Sequence, residues 1–110
     1  MAQNDFFPIV YRILAALYKN LKEDKENDLG IFECELYEVK QSFLDYILEY
    51  LVDEKFIRNV KKSHYDNDKK FLNLKNAQIT PKGIEYLQDN SLMSKTKMFL
   101  KEIKASIPFI

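Results

Sequence analysis

The stretch Ile79-Thr80-Pro81-Lys82-Gly83-Ile84-Glu85-Tyr86-Leu87 changes character within one residue. Thr80 is an N-cap residue type, whose hydroxyl can accept an orphan backbone N–H of a first helical turn. Pro81 follows with a preset φ and no donor to leave unsatisfied, which suits the first helical position. The residues before Thr80 read as extended and those after it as helical, so a strand runs directly into a helix here. Gly83, at the third helical position, reads as a point of close packing between that helix and the strand.

Working back from this joint, residues 71–79 read as a returning strand and 56–65 as its partner. Asp66-Asn67-Asp68 forms the turn tip between them, because Asn and Asp tolerate the left-handed conformations of tight turns. Before the hairpin, Phe43, Leu44, Ile47, Leu48 and Leu51 recur at helical spacing and predict a helix over 40–54, with Gln41 or Ser42 near its start. Pro8 opens another helix, with Ile9, Val10, Ile13, Leu14, Leu17 and Leu21 on its buried face and Arg12 and Lys19 turned outward. Residues 22–28 are a charged connector without an apolar anchor, and Asp28-Leu29-Gly30 reads as a turn. Residues 31–39 are ambiguous: Leu29, Phe32 and Leu36 can line a short helix, or Ile31-Phe32 can pair as a small strand. Beyond the joint, the helix from Thr80 ends near Asp89. Asn90-Ser91 then leads to a last helix with Leu92, Phe99, Leu100, Ile103 and Ile107 on one face.

The order is helix, short element, helix, β-hairpin, helix, helix. This predicts an α+β chain of the winged-helix type, with a helical N-terminal half, a β-hairpin wing and two C-terminal helices. At 110 residues it is one domain, residues 1–110, with a helical extension from about 91.

The 77–91 stretch followed by Met93, then Leu100-Lys101-Glu102-Ile103-Lys104 and Ile107-Pro108, resembles the YjcQ-like family of small bacterial and prophage proteins. Asp28-Leu29-Gly30-Ile31, Leu51-Val52-Asp53-Glu54 and Phe56-Ile57 are similar to earlier landmarks of that family. Two departures stand out. Lys55 occupies a position where Gly is usual, and 32–39 is additional sequence. The resemblance implies a winged-helix fold and a phage or prophage connection; it brings no catalytic or ligand residues.

The residues themselves give little support to catalysis. His64 is the only histidine and Cys34 the only cysteine, so no metal cluster of ordinary ligand spacing can be assembled from them. Gly30 and Gly83 are too few for a phosphate-cradling loop. Cys34 lies among acids that disfavour a thiolate, and it reads as a small buried side chain. The expectation is a protein without enzymatic activity, metal or cofactor. A lone cysteine, no apolar run long enough to span a bilayer and no basic leader make a cytoplasmic location the expected one.

A net charge of zero conceals a partition that bears on partners. Residues 23–54 carry eleven acids against Lys25 and Lys40, a balance of minus nine, whereas 55–76 balance at plus five. The first candidate surface is the wing: Lys61, Lys62 and His64 on one strand with Lys69 and Lys70 across the turn, placed to reach the phosphates of double-stranded DNA. Lysines near a hairpin edge also keep that edge from pairing with other chains. The helix before the wing argues against base reading, because Asp45, Glu49 and Asp53 form an outward acidic row. Each would be repelled by a phosphate at a cost on the order of 1 kcal/mol per close pair. That row is the second candidate surface, suited to a basic protein partner. Phe43, Tyr46 and Tyr50 on the same helix read as core and flank packing. DNA contact through the wing ranks first on sequence, a protein-interaction module second, and a homodimer through the C-terminal helix is a further expectation.

Overall fold

A computed structural model describes residues 5–62 and 71–91. Helix α1 (Phe6–Glu23) starts at Asp5, whose carboxylate accepts the Phe6 N–H at 2.9 Å. Pro8 lies in the first turn, where its missing donor costs no helical hydrogen bond. This helix is the axis of the core. Ile9, Val10, Tyr11, Ile13, Leu14, Ala15 and Leu17 are all essentially inaccessible, so the single buried face expected from its periodicity is too narrow. Arg12, expected to point outward, is only 6% exposed. Its guanidinium lies 4.8 Å from the centre of the Tyr37 ring, so the charge meets a π face and the stem is buried with it. Leu21 departs from expectation in the other direction. It sits in the last turn, past the packed elements, and is exposed.

The connector after α1 has no apolar anchor, but it has a polar one. Asn27 is 6% exposed and uses its whole amide. Its Nδ2 donates to the carbonyls of Leu74 (2.9 Å) and Ala77 (2.8 Å), and its Oδ1 accepts from Asn20 Nδ2 at 2.9 Å. The Asn27 N–H donates to the Lys75 carbonyl at 3.0 Å. A polar side chain thus fastens the connector to the far side of the hairpin.

Residues 29–37 form a 3-10 turn, Leu29–Phe32, and the one-turn helix α2 (Cys34–Tyr37). The Asp28 carboxylate accepts the Gly30 N–H at 2.9 Å and opens the first turn. The helical alternative is the one adopted here, but on a different face. Phe32 and Tyr37 enter the core while Leu29 and Leu36 stay exposed, and Ile31-Phe32 does not pair as a strand. The Tyr37 hydroxyl donates to the Ile31 carbonyl at 2.6 Å, which satisfies the polar end of a buried ring.

Helix α3 (Gln41–Asp53) buries Leu44, Ile47, Leu48 and Leu51, and its N-cap is Lys40, without a side-chain bond. The ribbon that follows is interrupted. Strands β1 (Ile57–Arg58) and β4 (Gln78–Ile79) pair antiparallel, Ile57 opposite Ile79; β2 (Lys61–Lys62) and β3 (Phe71–Leu72) pair antiparallel, Lys62 opposite Phe71. Two continuous strands were expected. Asn59 (φ 70°) and Asn73 (φ 69°) instead take the left-handed conformation on opposite sides, and a 3-10 turn, Leu74–Asn76, bulges from the returning side. Asn73 Nδ2 donates to the Asn59 carbonyl at 2.8 Å and closes the break.

Helix α4 (Pro81–Asp89) begins as the sequence predicts, with the Gly83 N–H donating to Thr80 Oγ1 at 3.2 Å. The same hydroxyl donates to the Lys55 carbonyl at 2.6 Å, and the Thr80 N–H donates to the Phe56 carbonyl at 2.9 Å. One residue therefore caps α4 and binds the strand-to-helix joint to the exit of α3. The described residues form an α+β architecture in which α3, α4, the 29–32 turn and strand β4 pack on α1, and β2–β3 forms a second short antiparallel ladder. The expected last helix and the hairpin turn tip lie outside the described residues.

Candidate interaction surfaces

The acidic row and the described lysines of the basic hairpin candidate, Lys61 and Lys62, lie on one surface. On α3, Glu49 and Asp53 are exposed and Asp45 is half-buried, where its carboxylate accepts Gln41 Nε2 at 2.9 Å. Lys61 and Lys62 of β2 are both exposed. Lys62 Nζ, however, sits 2.9 Å from Asp53 Oδ1 in an ion pair. That hydrogen bond, helped by the charges of Asp53 and Glu49, raises the Lys62 ammonium above its ordinary pKa and outweighs the opposing effect of desolvation. Lys75 pairs with Glu26 at 3.7 Å in the same sense. The acidic and basic segments thus face each other, and part of the ribbon's positive charge is neutralised inside the molecule. His64, Lys69 and Lys70 lie outside the described residues.

Beside the acidic row stands a band of aromatic rings. Phe6 meets Phe43, Tyr46 and Tyr50 edge-on at centroid distances of 6.4, 5.8 and 5.2 Å, and Phe7 meets Tyr50 at 6.4 Å. Tyr50 continues to Phe56 at 5.9 Å, and Phe56 to Tyr86 at 5.2 Å. These contacts fix the start of α1 on α3 and tie both to α4. Phe43 and Tyr50 are half-buried, in keeping with flank packing. Tyr46 is 64% exposed and Phe7 is 49% exposed. Tyr46 therefore packs only edge-on against Phe6 and leaves most of its ring to solvent, as its position directly after Asp45 on the outward half of α3 allows. Phe7 carried no such signal, because its exposure depends on how α1 lies against α3.

Other features offer less chemistry. Cys34 is half-buried, and that burial together with Glu35 pushes its thiol up, so the nucleophilic thiolate is disfavoured. Among the described residues no group of His, Cys, Asp and Glu could hold a metal ion, and no helix is long and apolar enough to cross a membrane. A polar hollow lined by Asn20, Asp24, Asn27 and Gln78 has a volume of about 40 Å³. That suits a water, whereas ligand pockets ordinarily begin near 300 Å³.

These features describe a small α+β protein with an acidic, aromatic helical face and an interrupted β-ribbon against it. The model of the family described as YjcQ protein matches residues 11–106, and the chain belongs to that family. It is 31% identical over 94 residues to "Uncharacterized protein YjcQ" of Bacillus subtilis (strain 168), covering 86% of this chain and 88% of that one. No solved structure matches the chain.

Proposed function

We propose that this protein is a non-enzymatic binding module on a winged-helix frame, and that its working surface is the outward face of α3, which docks a cationic protein partner. The frame is supported by the order α1, α2, α3 and an antiparallel ribbon, with Thr80 closing the ribbon onto α4. One observation carries the choice of partner: Asp45, Glu49 and Asp53 flank an exposed Tyr46 with Phe7 nearby, and Lys62 already binds this row. Acids beside aromatic rings attract cations by charge and by the π face together. Phosphates meet the reverse field at the helix that a DNA-binding winged helix inserts in the groove. DNA contact through the ribbon is the second reading, favoured by the exposed Arg58 and Lys61.

Lys62→Ala separates the two, because its effect has opposite sign in each. Removing Lys62 frees Asp53 for a partner, so affinity for a fluorescent oligolysine peptide rises several-fold at low salt. If the ribbon holds DNA, the same change weakens binding of a labelled mixed-sequence duplex. Duplex binding with a log–log salt slope of about −3 to −5, lost in Lys61→Glu, would overturn the protein-docking reading.

A further inference from the structure

We infer that the segment received by the α3 face is a cationic amphipathic α-helix, a deepening that rests on the docking reading above. The carboxylates of Asp45 and Glu49 are one helical step of four residues apart, about 6 Å along α3. Asp53 continues the row but is held by Lys62. Tyr46 and Tyr50 form a second row with the same step, one residue further on, and Phe7 from α1 extends it. An occupant that satisfies both must place cations and apolar groups in two adjacent rows on one side.

A β-strand cannot do this. Its side chains alternate between faces, so each face offers a single row, with a repeat of about 6.6–6.8 Å. A helix offers adjacent rows on one face at a repeat of about 6 Å. Lys or Arg at i and i+4 beside Leu, Met or Phe at i+3 and i+7 supplies the pattern. The cations then meet Asp45 and Glu49, and the apolar row lies against Tyr46 and Phe7. Interdigitation of such i±4 ridges is the common way for two helices to pack. The long stems of the cations also cover ring surface while their heads stay at the carboxylates.

The test uses two fluorescent 18-residue Ala-based peptides of identical composition and comparable helicity by circular dichroism. In one the cations and apolar residues follow the pattern above; in the other the same residues are dispersed around the helix. Anisotropy titrations with the full chain are expected to show the patterned peptide binding at least tenfold tighter. Tyr46→Ser should remove most of that preference. Glu49→Lys should weaken the patterned peptide several-fold, because the row then opposes one of its two cations. Both positions are solvent-exposed, and thermal melts check that the variants stay folded. Equal affinity for the two peptides overturns the helix inference and leaves the docking reading standing. Binding of neither peptide, at salt low enough to favour ion pairing, overturns both.

Discussion

Gly83 and Lys55 show how two backbone positions set the joint on which the fold turns. A Cβ on Gly83 would lie 2.5 Å from the Phe56 carbonyl oxygen and 2.6 Å from Ile79 Cγ1. Backbone cannot give way as a flexible side-chain end would. Gly83→Ala should therefore cost about 1–3 kcal/mol by overpacking, although alanine favours a helix interior. Chemical denaturation measures this directly, and an unchanged midpoint would mean that α4 is free to shift. Lys55 is the opposite case. Its φ of 61° is a left-handed conformation at the exit of α3, where the family resemblance expects glycine. Lys55→Gly should stabilise the protein by about 0.5–1 kcal/mol, the relief of Cβ strain outweighing the added freedom of the unfolded chain. The ammonium of Lys55 is exposed, so little packing is lost with it.

Among the elements, the interrupted ribbon is the least conventional and the most dependent on polar side chains. Asn59 and Asn73 permit the break, and Asn27 holds the bulge by donating to the half-buried Leu74 carbonyl and the buried Ala77 carbonyl. Asn27→Asp keeps the size but turns those donors into acceptors aimed at acceptors. It should destabilise by about 3 kcal/mol or more, and Asn27→Ala by about 2 kcal/mol, from carbonyls left unsatisfied. Hydrogen exchange at 74–77 should accelerate in both before global unfolding. Protection there equal to wild type would show that the ribbon does not rely on the connector. Helix α4 has its own fastening in Thr80, which both accepts from Gly83 and donates to Lys55. Thr80→Val removes both bonds at nearly constant volume and should cost about 1–2 kcal/mol.

For the molecule as a whole, alkaline pH is the expected point of weakness. Burial, with Tyr50 nearby, pushes the Tyr86 phenol up to about 12, and deeper burial raises Tyr37 further despite the Arg12 charge. Both groups hold their protons more tightly folded than unfolded, where a phenol titrates near 10. The stability this represents is fully present below about pH 10 and is lost as pH rises toward 12. Urea midpoints should therefore fall across that window, and Tyr86→Phe should flatten the decline. The Lys62–Asp53 pair acts in the same direction, since its raised ammonium also loses its proton at alkaline pH. As an exposed pair it is screened by salt, and its effect belongs to partner binding more than to folding.

The residues alone determined the local order: the N-cap and Pro at the start of α4, the four-residue row of acids, the helical spacing of α1 and α3, and the family to which the chain belongs. These signals are short-range, carried by capping chemistry and periodicity within one element. The tertiary structure decided what depends on contacts between elements. It buried Arg12 against Tyr37, made Asn27 an anchor, broke the ribbon at Asn59 and Asn73, and left Tyr46 and Phe7 beside the carboxylates. It also joined Lys62 to Asp53, so that two surfaces which composition keeps apart became one. Burial and pairing of a polar side chain depend on partners tens of residues away, and no local pattern encodes which partner the packing will supply.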